Sequence, residues 1–176
     1  MTARSFDAGN AECLVFTEKA GLLSAVAHDL KLRVERFEVR VEADGVQGSF
    51  DAGSLRVVCA RSDRRDLPDA LSARDRAEIE SNIAAKVLDA RRHPAILFQS
   101  RSLAEQEGGW RAEGTLSIRG RARPLVVVAR REGDRAVSES VLHQPDFGIQ
   151  PYSALLGTLR IKPDVTVRLS LPWSAG

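Results

Sequence analysis

Cysteine is scarce in this chain, and the two that occur, Cys13 and Cys59, exclude a fold built on disulfides. Each lies in an apolar stretch, beside Leu14 and Val15 or Val57 and Val58, and reads as a buried, inert thiol. Histidine is nearly as rare. His28, His93 and His143 are dispersed and never take an HxxxH or HExxH spacing, so no metal site is legible. The serines form no GxSxG elbow, and there is no GxGxxG or Walker motif, so the sequence supports neither a serine hydrolase nor a nucleotide cofactor. Charge of one sign is missing too. Lys plus Arg number 26 against 24 Asp plus Glu, and the signs are interleaved within 61–66 and 73–78, which removes the basic patch that nucleic-acid binding needs. No apolar run approaches the ~20 residues that span a bilayer. The opening residues, Met1 to Glu12, lack the apolar core of a secretion signal, so the expected location is cytoplasmic.

What is present is alternation. The 176 residues are 43% hydrophobic and 28% charged, ordinary values for one globular domain over 1–176. A chain of this length can bury roughly 70% of its unfolded surface without staples. Leu116 and Ile118 alternate with Thr115, Ser117 and Arg119, the two-residue period of a strand with one dry face. Trp110, Ala112 and Gly114 extend that dry face. Gly120 allows a positive φ at the following turn, Pro124 suits a strand entry or an edge, and Val126 to Val128 continue as a β-branched run. Further strands are expected at Cys13–Thr17, around Leu30, Leu32 and Val34, around Phe37, Val39 and Val41, and at Val46–Phe50. Others follow at Leu55–Ala60, Ala95–Leu103 (Ile96 and Phe98 on one side) and Ala136–Leu142. The last alternates through Val165, Val167, Leu169 and Leu171. The inward parity switches at Glu35-Arg36, the signature of a β-bulge. Asp51–Ser54 reads as a reverse turn, and 61–70 as a polar loop.

One helix interrupts the strands, over about 72–91. Ser72 caps it, with Asp75 three residues on as the acidic partner of a capping box. Ile79, Ile83, Val87 and Leu88 make a narrow apolar stripe, so this helix covers something and is not buried all round. Arg91, Arg92 and His93 suit a helix C-terminus, and Pro94 ends it. The sum is a mainly β protein: a single antiparallel β-barrel of about eight strands, with the helix as lid or plug.

Four segments together carry a family resemblance: Leu71–Ile79, Leu88–Ser100, Gly114–Gly120 and Pro145–Ile149. In their order and spacing the chain resembles the YceI-like family, the lipocalin-like polyisoprenoid-binding barrels. The resemblance implies a non-catalytic container that binds, stores or carries a long-chain isoprenoid or other amphipathic lipid in an apolar interior. Many members carry a secretion signal, and many have Arg-His in an early strand where this chain has Ala27-His28-Asp29-Leu30. Candidate ligand contacts are His28, Phe37, Val39, Phe98, Trp110, Leu116, Ile118, Phe147 and Leu156, with Arg33, Arg74, Arg119 and Arg168 as candidates to meet an anionic head group. No catalytic residue, metal or cofactor is expected. Two alternatives stand beside this reading. One is an enzyme acting on a hydrophobic substrate with His28 as acid–base group. The other is a filled barrel that works through a protein partner or as a homodimer.

Overall fold

A computed structural model describes residues 3–20, 28–154 and 159–173. Along the chain the strands are β1 (Arg4–Asp7), β2 (Glu12–Thr17), β3 (Lys19–Ala20), β4 (Asp29–Val34), β5 (Phe37–Val41), β6 (Val46–Asp51), β7 (Leu55–Ser62) and β8 (Arg65–Leu67). Helix α1 (Ala73–Asn82) runs on into a single π turn, Ile83–Val87. Then come β9 (Ala95–Gln106), β10 (Gly109–Ile118), β11 (Arg121–Glu132), β12 (Arg135–His143), a 3₁₀ turn at Gln144–Phe147, β13 (Ser153–Ala154), β14 (Leu159–Ile161) and β15 (Asp164–Pro172).

The strand segments outnumber the staves of the barrel because two staves are kinked and five short strands, β1, β3, β8, β13 and β14, are not staves. β4 pairs with β7 and β5 pairs with β6, both antiparallel, so β4–β5 and β6–β7 are the two arms of one long hairpin. The bend lies at Glu35-Arg36 on one arm and Asp51–Ser54 on the other. The Glu35 amide donates to the Ser54 carbonyl (3.0 Å) and the Asp51 amide to the Arg36 carbonyl (2.9 Å). Ser54, fully buried, accepts from the Arg36 amide at 3.1 Å and donates to the Asp51 carbonyl at 2.9 Å. A turn does form at Asp51–Ser54, the Ser54 amide donating to the Asp51 carbonyl at 3.1 Å, but the strand after it does not run back as expected. The chain does not turn back there but goes round a corner, and the expected parity switch at Glu35-Arg36 is the other half of the same corner. Residues 61–70 are corrected as well. Arg65–Leu67 pairs with β7 across a tight turn whose Asp63 and Arg64 both take positive φ, 49° and 65°, without glycine.

Counting each kinked arm as one stave gives a curled antiparallel ring: β2, β4–β5, β6–β7, β9, β10, β11, β12, β15 and back to β2. The ring is split along one seam. β11 and β12 pair only from Ala129 to Glu132 with Arg135 to Ser138, and then part company, while the rest of β12 stays on β15. Pro124 lies in the stretch of β11 with no β12 neighbour, where a missing N–H is tolerated. Inward side chains on the staves fill a continuous apolar lining, Leu32 and Val39 being 1% exposed. On β12 the inner face is Ala136, Ser138, Ser140 and Leu142, while Val141 points out and is 63% exposed.

Two devices fix the wall locally. β9 bulges opposite Glu113 and Gly114, bringing its backbone so close that a Cβ on Gly114 would lie 2.7 Å from the Ser100 Cα. The tight β10–β11 turn holds Arg119 and Gly120 at φ 51° and 72°. The helix begins as expected. Ser72 Oγ accepts from the Asp75 amide at 3.1 Å while the Asp75 carboxylate accepts from the Ser72 amide at 3.0 Å. It ends sooner than Arg91, because the ladder widens to a π turn at Ile83 and the chain turns at Asp89, which has φ 46°. Arg91, Arg92 and His93 therefore lie beyond the helix, not on its last turn.

Candidate functional site

The staves enclose a cavity of about 620 Å³, within the range typical of small-molecule sites. Its wall is aliphatic and aromatic along most of its length. One end is shut by aromatics. Trp110 and Trp173 pack at 4.6 Å between centroids, Phe6 on β1 backs Trp173 at 6.5 Å, and the Arg4 guanidinium covers the Trp173 ring from outside at 4.6 Å. The other end lies under α1. Here Thr17, His28, Asp75, Glu78, Asn82 and Tyr152 join the lining. The Thr17 hydroxyl is buried there without a hydrogen-bond partner among the described residues.

The helix is held over this mouth by hydrogen bonds at both ends. β4 and β7 slip register between Lys31 and Leu32, passing over Val58, and the Val57 amide beside this slip donates to Glu80 Oε1 at 2.9 Å. Arg76 donates to the Pro68 carbonyl (2.7 Å), and Arg119 to the Val87 carbonyl (3.2 Å). Ile79, Ile83, Val87 and Leu88, the stripe read from the sequence, face the cavity. Among the described residues no helix is long and apolar enough to cross a membrane.

Of the sequence-predicted contacts, His28, Val39, Phe98, Trp110, Leu116, Ile118 and Phe147 all line this one cavity. Phe37 does not. It stacks on Phe50 at 5.7 Å, and Phe50 is the ring that reaches the lining. Leu156 lies outside the described residues. Sequence reasoning missed Cys13 and Val15 on β2 and the polar face of α1. Cys13 and Val15 were visible as an alternation; the helix face has no signal until the helix is docked. His28 and Asp29 diverge: His28 lines the cavity, while Asp29 Oδ1 accepts from the Lys19 amide at 2.8 Å. His93 sits beside the Gly120 turn, and His143 Nδ1 meets Asp164 Oδ1 at 2.6 Å.

None of the four arginines offered for an anionic head group lines the cavity. Arg33 reaches Glu12 at 3.9 Å, Arg168 bridges Glu132 (3.1 Å) and Glu139 (3.5 Å), Arg119 bonds carbonyls behind the lid, and Arg74 stands exposed on α1. At the mouth, the Ser72 hydroxyl, then the Ser72 amide, hold the Asp75 carboxyl below the usual range, with the Arg74 and His28 charges adding to this. In the wall, burial and then the charge of Glu12 push the Cys13 thiol up to about 12. Cys13 and Cys59 are free, separated by the intervening strand β4.

A family model described as YceI-like domain matches residues 18–172. No curated protein matches the sequence. The fold is similar to that of BcnA of Burkholderia cenocepacia, with TM-score 0.68 at 16% identity over 96% of this chain and 99% of that one. It is also similar to a polyisoprenoid binding domain from Saccharophagus degradans implicated in plant cell wall breakdown, with TM-score 0.62 at 11% identity over 99% and 98%. A Campylobacter jejuni YCEI protein aligns with TM-score 0.51 at 9% identity over 99% and 85%.

Proposed function

The chain belongs to the YceI-like family, and from that premise we propose that it binds a long-chain isoprenoid or similar amphipathic lipid inside the barrel, without catalysis, and stores or carries it. The observation that supports this best is the hollow itself: about 620 Å³ bounded by inward side chains that leave the axis unfilled. An apolar tail entering it gains roughly 0.8 kcal/mol per buried CH₂, so a modest chain outweighs the cost of immobilising the ligand. His28 and Asp29 being split between cavity and backbone weighs against an acid–base dyad at that position.

Native mass spectrometry and organic extraction of the purified protein test the reading. A bound long-chain lipid, or tight uptake of a long-chain prenol by emptied protein, is the expected result. Protein that is always recovered empty and leaves the prenol unbound overturns it. His28→Gln distinguishes the enzymatic alternative, since a container keeps its ligand and shows no turnover to lose.

A further inference from the structure

The polar groups of the cavity are not scattered. Apart from Ser138 and Ser140 on the β12 wall, they gather under α1, and the aromatic floor of Trp110 and Trp173 closes the opposite end. A long amphiphile therefore has one orientation that satisfies both ends: tail on the tryptophans, head at the helix.

Among the lining side chains the fixed charge at that end is of one sign, with Arg74 exposed beside it on α1. Among the described residues no lysine or arginine lines the cavity. Every lysine and arginine of the chain is among those residues, since 21–27 and 155–158 contain none. Two carboxylates do line it at its rim, Asp75 and Glu78 on α1, both exposed to solvent. Asp75 is engaged with Ser72 through Oδ2 and is ionised at neutral pH; Glu78 has no hydrogen bond or ion pair among the described residues. The lining side chain that can offset them is His28, beside Asp75. The remaining polar groups, Thr17, Asn82, Gln144 and Tyr152, are neutral.

Resting on the lipid-binding reading, we propose that this mouth sorts ligands by head-group charge, taking a cationic amine over a neutral hydroxyl and a hydroxyl over a phosphate. The apolar wall is indifferent to the head group, so tail burial sets affinity and the carboxylates set selectivity. An anion placed beside Asp75 and Glu78 at this exposed rim meets like charge, with no guanidinium or ammonium in the lining to compensate.

The test uses emptied full-length protein and three probes with the same tail: palmitylamine, palmityl alcohol and palmityl phosphate, each kept below its micelle threshold. The two tryptophans are the only ones in the chain and both line the cavity floor, so a bromine at the tail tip reports both binding and orientation by quenching. The expected result is quenching by the tail-brominated probes, with the amine on the order of tenfold tighter than the phosphate and the alcohol between. The double variant Asp75→Asn/Glu78→Gln narrows that gap to about twofold and leaves the alcohol unchanged. Phosphate binding as tightly as amine, while the alcohol binds, overturns the charge inference and leaves the lipid reading standing. A gap that survives in the double variant overturns the assignment to α1. No quenching by any of the three overturns the lipid reading, and this inference with it. Amine binding that leaves both tryptophans unquenched by the tail bromine marks a surface effect and also overturns the proposal.

Discussion

Ala112→Phe is the most direct test of whether the barrel is hollow. Ala112 lies on the inner face of β10, 5% exposed, flanked in register by Leu103 and Val127, and lines the cavity. In a solid core, a phenyl ring here would force neighbours off their rotamers and cost about 1–3 kcal/mol. In a void of about 620 Å³ the ring has room. It then gains up to about 2 kcal/mol of apolar burial over the methyl it replaces, less about 0.5–1 kcal/mol of rotamer entropy. The net is about +1 kcal/mol, which for a domain of this size raises Tm by about 2–4 °C. The sign of the shift, not its size, carries the decision. Differential scanning calorimetry on emptied protein reads it, and quenching by a tail-brominated palmityl alcohol reads the loss of ligand volume. A variant that melts several degrees below the parent means that the interior is already packed, and the container reading fails with it.

Four further outcomes follow from the same geometry. Gly114→Ala is expected to destabilise by about 1–3 kcal/mol, because its Cβ would meet the Gln99 carbonyl oxygen and the Ser100 Cα, both backbone and unable to yield; an unchanged denaturant midpoint would refute the close approach. Ser72→Ala removes one half of the capping box and is expected to cost about 1 kcal/mol, read as a lower Tm, with Ser72→Asp restoring most of it. Cys13, its thiol raised to about 12 by burial, is expected to resist a water-soluble disulfide reagent at pH 8 until denaturant unfolds the chain; fast labelling of Cys13 in the native state, located by peptide mass mapping, would contradict its place in the wall. Acid stability follows from carboxyls held low in the fold, Asp51 by Arg36, Asp66 by Lys31 and Asp75 by Ser72. With folded pKa below unfolded, their contribution is complete above about pH 4 and is lost as pH falls through the lower folded values. Arg36→Met should flatten that part of a Tm-against-pH curve, and a curve identical to the parent's would count against the Arg36–Asp51 pair (2.9 Å) as a contributor.

The period-two pattern made the wall legible before any coordinates. Trp110, Ala112, Leu116 and Ile118 share a face in sequence and in space because a strand's side chains alternate whatever it pairs with. The capping box at Ser72 and Asp75 was legible for the same reason, since its two bonds close within four residues. The corner at Asp51–Ser54 was not. Its residues carry ordinary turn chemistry, and only the pairing of both flanking strands with one partner arm shows that the chain goes on and does not reverse. On β12, valines at 137 and 141 outweigh the serines between them in any hydrophobicity count, yet Ser138 and Ser140 face the cavity because the register with β15 sets the face.

By itself, the sequence determined what is local: the dry side of strands such as β10, the cap of the helix, the lack of metal and nucleotide motifs, and the family. Tertiary structure alone decided what depends on distance in space. It closed the staves into a ring with one split seam and left the axis empty. It also laid α1 across the mouth, so that two carboxylates faced the hollow while the expected arginines were paired or stranded outside. Alternation fixes which way a side chain points, but a void and the charge at its rim belong to no single segment.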